Sequence, residues 1–266
     1  MVTKSALLEL KNVRKVYVTR RGKVEAIGGV SFIVNEGEFV TIVGPSGCGK
    51  STLLKIIAGL LPYDQGHVEF RGRPLTGPVK EVGLVFQQPA LFPWKTVLGN
   101  ILAPIELMGL RKKDYLKKAR ELLVLANLRG FEKFYPKELS GGMQQRVAIC
   151  RALIHDPKLL LMDEPFGALD AMTRDMMNLE IQRIWKEIQC TVLFVTHSIH
   201  EAIFLGDKVV VLSNRPSVVR EIIPIGLPRP RSLEIRASPE FGNHLLHLLD
   251  LLRNEFIEGA NVEQVL

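Results

Sequence analysis

Gly44-Pro45-Ser46-Gly47-Cys48-Gly49-Lys50-Ser51 is the octet that decides the fold of this chain. It follows an apolar run at residues 39–43 and precedes another at residues 53–58, which predicts a strand, a glycine turn and a helix. Glycines let backbone N–H groups turn toward an anion, and the helix N-terminus adds positive charge at the same point. This order is typical of a loop that binds a triphosphate. An ordinary glycine turn is the alternative, but the spacing, the Lys-Ser pair and the flanking elements all favour the phosphate site.

The loop also predicts individual contacts. Lys50 is long enough to reach the β- and γ-phosphates of a bound triphosphate, and the Ser51 hydroxyl is a suitable ligand for Mg²⁺. Cys48 is a small residue that the loop tolerates, and its alkylation is expected to block the nucleotide. The predicted nucleotide-binding residues of the loop are Gly44, Pro45, Ser46, Gly47, Cys48, Gly49, Lys50, Ser51 and Thr52.

Composition limits the class of protein. The chain has 266 residues, 47% hydrophobic and 24% charged, which is enough for one large domain with a core, or for a domain with a subdomain. No window of about 18 consecutive apolar residues exists, so no membrane span is predicted, and the N-terminus does not resemble a secretory signal. The three cysteines form no metal pattern and favour a reducing compartment.

The formal net charge of +7 has three interpretations. The basic residues are scattered, so a solvated surface is the first. Attraction to an anionic membrane surface or an acidic partner is the second. Nucleic acid is the least supported, and no nucleic-acid partner is expected.

Periodicity predicts an alternation of strands and helices. Predicted strands cover residues 7–18, 30–34, 39–43, 67–71, 82–86, 158–163, 191–196, 208–212 and 218–225, the last of them at a sheet edge. Predicted helices follow Ser51 and Ser140 and cover residues 97–107, 112–127, 170–189 and 240–258. Residues from about 88 to 150 therefore form a helical insertion in an α/β framework.

The C-terminal part has its own prediction. Residues 227–231, Leu-Pro-Arg-Pro-Arg, predict a stiff, extended linker before the last helix. We expect the leucines of that helix to pack on the body of the domain, and a partner helix is the alternative. These leucines are Leu245, Leu248, Leu249 and Leu252.

A phosphate loop alone fits several classes of nucleotide-binding protein, and two later motifs reduce that number. The apolar run at residues 159–162 ends in Asp163 and Glu164. Such a strand presents Asp163 at its carboxyl end, where it can help to hold Mg²⁺, and Glu164 is placed to act on an attacking water as general base. A surface acidic pair is the alternative.

The second motif is Leu-Ser-Gly-Gly-Met-Gln-Gln-Arg at residues 139–146. Ser140 is a natural N-cap, and Gly141 and Gly142 free the backbone to meet a phosphate at a helix N-terminus. By chemistry alone, the stretch is a second anion site, with a plain capped helix as the alternative.

With these motifs the chain resembles the ABC transporter ATPases, whose signature is Leu-Ser-Gly-Gly-Gln or a close variant. The resemblance covers residues 6–225, with Met143 in place of the usual Gln. It implies an α/β P-loop NTPase core with an N-terminal antiparallel β subdomain and an inserted α-helical subdomain. The implied domains are residues 1–236, which include the insertion at about 88–150, and a C-terminal helical tail at 237–266.

The resemblance assigns roles outside the phosphate loop. Tyr17 is expected to stack on adenine, with an ordinary strand tyrosine as the alternative. Gln87 is expected to reach Mg²⁺ and the attacking water, and only the family register selects it over Gln88. Asp170 is expected at a dimer seam, and His197 at the γ-phosphate.

The implied catalytic residues are Glu164, His197 and Gln87, and the implied Mg²⁺ ligands are Ser51, Gln87 and Asp163. Ser198 and His200 depart from the family's pattern of acidic residues after the histidine, whereas Glu201 is acidic as in the family. We expect this departure to alter the packing near His197 and to leave activity intact.

Partners follow from the same resemblance. Ser140 and Gly142 of one subunit are expected to touch the γ-phosphate bound by Lys50 of another, so that two ATP molecules lie between two subunits. A chain with one P-loop and one signature is expected to dimerise, with itself or with a similar chain. Transmembrane permease subunits are also implied. Residues 91–94, Leu-Phe-Pro-Trp, are the predicted dock, unless they fill the subdomain's own core.

Residues 86–94 and 227–231 are similar to those of the bacterial nitrate, sulfonate and taurine importers. The implied function is that of an importer's ATP-hydrolysing subunit, peripheral at the cytoplasmic face of the bacterial inner membrane. A periplasmic or lipid-anchored solute-binding protein is then an indirect partner. The alternative is a soluble ABC ATPase without a transport role, such as a translation factor or a DNA-repair motor. A plain P-loop kinase has no use for the signature, and an inert scaffold conflicts with the intact motifs.

Overall fold

A computed structural model describes residues 5–20 and 22–263, which form two compact units. The first unit is Met1–Val79 with Thr191–Leu266, and the second is Lys80–Cys190. The strands are β1 (Ala6–Thr19), β2 (Gly22–Asn35), β3 (Phe39–Val43), β4 (Gln65–Phe70), β5 (Arg73–Pro74), β6 (Val82–Val85), β7 (Leu159–Asp163), β8 (Thr191–Val195), β9 (Lys208–Leu212) and β10 (Val219–Pro224). The α-helices are α1 (Lys50–Ile57), α2 (Val97–Ile101), α3 (Ala103–Leu107), α4 (Lys112–Leu125), α5 (Gly141–Leu153), α6 (Ala171–Ile188), α7 (Ile199–Leu205) and α8 (Pro239–Glu263). Short 3-10 helices lie at Pro136–Glu138 and Leu233–Ala237.

The first unit contains a four-stranded antiparallel sheet in the order β2-β1-β4-β5. The predicted strand at 30–34 is too short, because β2 already begins at Gly22. Its first half holds Gly22 and Gly28, and Gly29 follows directly, and these glycines weaken a local strand signal. The hairpin register from Thr19↔Gly22 onward pairs that half with β1, so tertiary pairing overrides the local composition.

The same unit carries the central strand β3, all five residues of which are buried. Strands β8 and β9 flank it in parallel, and β10 closes the far side of β9 in antiparallel orientation. The apolar runs predicted these strands, because a strand covered on both faces carries few polar side chains. The predicted edge position of the last strand is also confirmed.

In the second unit, β6 and β7 pair in parallel and α2 to α6 supply the helices. The single helix predicted at 97–107 is wrong, since the segment divides into α2 and α3 with Leu102 between them. Pro104 lies in the first turn of α3, where its missing N–H costs no hydrogen bond. The proline therefore starts a new helix instead of continuing the old one.

The segment 227–231 is docked on the first unit and is not a free linker. Arg231 is only 2% exposed, and its guanidinium donates to five backbone carbonyls. Three of them belong to the end of α7 and the residue after it, and two belong to the chain just before the arginine. The acceptors are Ile203, Phe204 and Gly206 at 2.8–2.9 Å, Leu227 at 3.1 Å and Ile225 at 3.4 Å.

The Arg231 guanidinium caps the C-terminus of α7, where the last carbonyls have no hydrogen-bond partner inside the helix. Burial lowers the pKa of Arg231 to about 10, so the side chain keeps its charge at neutral pH. The sequence pattern of alternating Pro and Arg predicted extension but not this long-range contact.

The last helix, α8, packs only part of its leucines. Leu248 and Leu252 are buried, Leu245 is half-buried, and Leu249 is exposed, so the expectation for Leu249 is wrong. No helix in the described part of the chain is both long and apolar enough to cross a membrane.

We predict that Arg231→Ala lowers the free energy of unfolding by about 3 kcal/mol, because it leaves several buried carbonyls without a donor. Arg231→Lys is expected to recover only part of the loss, since one ammonium cannot serve both sets of carbonyls. Urea denaturation of the full chain measures both values. Arg253→Ala, at an exposed position, is the matched control. Equal midpoints for Arg231→Ala and the control would contradict the capping role.

Candidate functional site

The carboxyl ends of β3, β8 and β9 meet at one edge of the first unit, because the three strands run in parallel. The predicted phosphate loop follows β3, and His197 follows β8. The turn at residues 213–217 follows β9. Ligands of open α/β sheets bind at such an edge.

The phosphate loop has the geometry that its glycines predict. Gly47 and Gly49 have φ values of +73° and +114°, which L-residues with a side chain rarely adopt. Gly49 is also the N-cap of α1. The Lys50 side chain is 6% exposed, and its ammonium donates to the carbonyls of Gly44 and Pro45, both at 2.9 Å. The loop thus wraps around a cation at a helix N-terminus, an arrangement that suits phosphate oxygens.

Cys48 faces the interior of this loop, with 1% of its surface exposed. Burial raises the pKa of its thiol, while the charges of Lys50 and Arg215 act in the opposite direction. The thiolate is therefore scarce at neutral pH, and the sequence-based expectation that this cysteine is open to alkylation does not fit its burial.

Tyr17 lies near the end of β1, and its hydroxyl is 3.2 Å from the Thr52 Oγ1 atom. Its ring is partly exposed, and the Lys15 ammonium lies 5.9 Å from the ring centroid. The Asp64 carboxylate fixes this end of β1, because it accepts hydrogen bonds from the Val16 N–H at 2.6 Å and from the Lys15 ammonium at 3.1 Å. Tyr17 and the phosphate-loop helix are thus brought together, and stacking on adenine stays a prediction.

The segment around His197 contains the predicted departures. Ser198 caps α7 by accepting from the Glu201 N–H at 3.3 Å. Thr196 accepts from the Ser198 N–H at 3.0 Å, and its hydroxyl bonds to the buried Glu201 carboxylate. His200 contacts Phe241 of α8, with ring centroids 6.2 Å apart. Ser198 is therefore the N-cap of α7, at the position where the family usually has aspartate. The buried Glu201 carboxylate stabilises the segment through its bond to Thr196.

In the second unit, the ends of β6 and β7 bring three predicted residues to one edge. Gln87 follows β6, Asp163 ends β7, and Glu164 comes next. Glu164 has a φ of +45°, a left-handed conformation that costs a non-glycine residue free energy and is often found at functional sites. Gln145, which the sequence did not single out, donates from α5 to the Phe86 carbonyl at 3.3 Å and so holds the residue that precedes Gln87.

The signature stretch has the predicted cap, because Ser140 accepts from the Met143 N–H at 3.3 Å at the start of α5. Asp170 caps α6 in the same way, accepting from the Thr173 N–H at 2.9 Å and its hydroxyl at 2.6 Å. A methyl group added to Gly142 would lie 3.3 Å from the Thr173 side chain. The two caps are therefore neighbours.

The predicted site residues thus fall into two groups. The first unit holds the phosphate loop, Tyr17 and His197, and the second holds Gln87, Asp163, Glu164, Ser140, Gly141, Gly142 and Asp170. The predicted Mg²⁺ ligands Ser51, Gln87 and Asp163 supply hydroxyl, amide and carboxylate oxygens, the donors that this hard cation prefers. Among the described residues, no group of three or more His, Cys, Asp or Glu side chains forms a separate metal site.

The predicted dock at residues 91–94 is partly exposed. Trp94 is 71% exposed, whereas Leu91 and Phe92 are half-buried. The buried Asn100 side chain holds this loop, since it accepts from the Phe92 N–H at 2.7 Å and donates to the carbonyls of Phe92 and Lys95 at 3.1 and 3.0 Å. The loop is therefore ordered by its own unit while it presents the indole to solvent.

Comparisons with known proteins show which proteins the chain is similar to. A family model described as ABC transporter matches residues 27–167. The chain is 45% identical over 239 residues to the aliphatic sulfonates import ATP-binding protein SsuB of Bacillus cereus, covering 90% of this chain and 94% of that protein. It is 42% identical over 257 residues to the nitrate import ATP-binding protein NrtD of Synechocystis sp., covering 94% and 97%. The dimeric ATP-binding cassette MJ0796 in a post-hydrolysis state, bound to ADP and Pi, matches with a TM-score of 0.72 and 34% identity, covering 83% of this chain and 100% of that one.

All three cysteines are free and buried, and burial raises the pKa of both Cys150 and Cys190 to about 12. We predict that iodoacetamide labels the native protein at pH 7.5 at least about tenfold more slowly than it labels the protein in urea, because thiolate is the reactive form. Mass spectrometry of the labelled peptides measures the rate at each cysteine. Rapid labelling of Cys48 in the native protein would show that the phosphate loop opens more often than its packing implies.

Proposed function

This chain belongs to the ABC transporter family of ATP-binding proteins and is an ATPase, and from this premise we propose that it is the ATP-hydrolysing subunit of a bacterial importer. The strongest support for an import role is its similarity, over 90% or more of its length, to proteins named as sulfonate and nitrate import subunits. The proposed cargo class is a small solute of the nitrate, sulfonate or taurine kind.

The phosphate loop is the proposed binding site for the ATP triphosphate. The loop's N–H groups and the α1 N-terminus offer donors and positive potential to the phosphates. The Lys50 ammonium, already held inside the loop, would exchange its two carbonyl partners for phosphate oxygens. Charge-assisted bonds of that kind are stronger than bonds to neutral carbonyls. Tyr17 is the proposed contact for adenine.

Hydrolysis is assigned to the second group of residues together with His197. Glu164 is the proposed general base for the attacking water, Gln87 orients that water, and His197 contacts the γ-phosphate. Mg²⁺, held by Ser51, Gln87 and Asp163, would supply positive charge to the phosphate oxygens. The left-handed conformation of Glu164 supports a specific role, since a residue without a function there would be better replaced by glycine.

We further propose that two copies of the chain close around two ATP molecules. The capped signature at Ser140 and the neighbouring cap at Asp170 offer N–H groups at two helix N-termini. In a dimer, the signature of one copy would bind the γ-phosphate held by Lys50 of the other. Loss of that phosphate on hydrolysis would remove the bridging contacts, which links the chemistry to opening of the dimer.

A separate membrane permease is the proposed mechanical partner. The exposed indole of Trp94, on a loop held by Asn100, is a suitable anchor for a helix of such a partner, because buried aromatic side chains often dominate interface energies. The protein would then lie at the cytoplasmic face of the inner membrane, and a solute-binding protein would act on the other side. A soluble ABC ATPase without a transport role is the second candidate. Copurification of a membrane permease with this chain from its native cells would distinguish the two.

We predict that Lys50→Ala raises the Kd for ATP by about 30-fold or more, as expected for the loss of charge-assisted hydrogen bonds of roughly 2–3 kcal/mol. Fluorescence titration with an ATP analogue measures the affinity. Lys55→Ala, on an exposed face of the same helix, is the matched control. Unchanged affinity in Lys50→Ala would exclude the phosphate loop as the nucleotide site.

Glu164→Gln is expected to keep ATP binding and to lower kcat by about 10²- to 10⁴-fold, because an amide cannot accept the proton from water. With ATP and Mg²⁺ it should accumulate as a dimer in size-exclusion chromatography coupled to light scattering. Glu187→Gln, an exposed change in α6, should behave like the native chain. A Glu164→Gln protein that stays monomeric at saturating ATP would refute the two-copy arrangement.

A further inference from the structure

The turn between β9 and β10 lies against the phosphate loop, with Ser217 beside Gly49 and Arg215 beside Gly47. Its ends are closed by the bond from the Ser213 N–H to the Val218 carbonyl and by the bond from the Val218 N–H to the Ser213 hydroxyl, both 3.0 Å long. The turn follows the strand next to β3, so it shares an edge with the phosphate loop. None of its residues has a role in the proposed hydrolysis.

One side of this turn is fixed by β2. The Ser217 carbonyl accepts from the Gly28 N–H at 2.8 Å, and the Ser217 hydroxyl donates to the Ala26 carbonyl at 3.2 Å. A β-carbon placed on Gly49 would stand 3.0 Å from that Ala26 carbonyl and 3.4 Å from the Ser217 hydroxyl. The turn, β2 and the phosphate loop are therefore in direct contact.

The other side is fixed by the C-terminal helix α8. Glu255 is only 4% exposed, and its carboxylate accepts from the Asn214 N–H at 2.8 Å. The same carboxylate pairs with the Arg220 guanidinium, and the Asn214 amide donates to the Glu255 carbonyl. A buried carboxylate of this kind is stable only while these partners are in place. The tail thus holds the residue that precedes Arg215.

Arg215 brings a positive charge to the phosphate loop. A methyl group on Gly47 would lie 3.6 Å from the Arg215 Nη2 atom, so the guanidinium stands beside the loop residue with φ +73°. The charge of Arg215 also acts on the Cys48 thiol, which lies inside the loop. Arg215 itself is exposed, and a change of this side chain should leave the fold intact.

We propose that Arg215 increases the affinity of the phosphate loop for the triphosphate, and that Glu255 of α8 is the positioning residue that keeps it there. The inference rests on the proposed ATP site at this loop. A guanidinium so close to the loop attracts a polyanion through Coulomb forces that salt screens. The tail is then a part of the nucleotide site, and any partner that pulls α8 away would weaken ATP binding.

The test compares full-length variants by titration with a fluorescent ATP analogue and Mg²⁺ at 50 and 300 mM KCl. Arg215→Gln is expected to raise Kd about fivefold at 50 mM and less at 300 mM, because screening removes part of the difference. Arg215→Lys should stay within about twofold of the native value, since it keeps the charge.

Glu255→Asp keeps the net charge of the site but shortens the side chain, so it loosens the bond between the carboxylate and the turn. We expect it to raise Kd by about threefold, and to add nothing in an Arg215→Gln background, as required for two residues that act through one contact. His247→Ala breaks a different contact of the tail, with Glu221 at 3.0 Å, and should leave Kd unchanged.

Three results would overturn the proposal: an Arg215→Gln protein with native affinity, Glu255→Asp and Arg215→Gln effects that add independently, or an equal effect in His247→Ala. If Glu255→Asp does not fold, the first result still decides the role of Arg215. Failure of the native chain to bind ATP would instead refute the proposed function, so the two failures are distinguishable.

Discussion

The candidate nucleotide site of the first unit lies at the carboxyl end of β3, and its position depends on the burial of β3 between two parallel strands. A parallel strand must end on the same side as its neighbours, so the segments after β3, β8 and β9 are forced to one edge. Strand direction therefore brings the phosphate loop, His197 and the turn that carries Arg215 to the same edge. The apolar composition of the three strands is the physical cause of this assembly.

Short-range sequence patterns predict the strands and helices that are specified by their own residues. The continuous apolar runs at 39–43 and 208–212 specify buried strands, and Ser140 and Asp170 specify helix starts through their own side chains. The same signals do not predict the structure of segments whose conformation depends on contacts with distant parts of the chain. The first half of β2 forms a strand only because β1 pairs with it, and residues 227–231 are held by carbonyls of α7.

The candidate site divides in the same way. Its motif residues lie within short stretches of sequence. The order and spacing of residue types in each stretch indicate what it can bind, so these residues could be proposed from the sequence. Arg215 could not, because its proposed role depends on contact with a loop about 170 positions earlier and on the bond from its neighbour Asn214 to Glu255, 41 positions after Asn214. The one available hint was its place after a buried strand, at the end of the sheet where ligands bind.

The backbone conformation of Glu164 has an evolutionary consequence. A left-handed φ costs a residue with a β-carbon about 1 kcal/mol, which glycine or asparagine would largely recover. In the proposed hydrolysis, the need for a carboxylate at this position outweighs that cost. In a copy of the protein that no longer hydrolysed nucleotide, a change of Glu164 to glycine would therefore be tolerated and should raise the melting temperature.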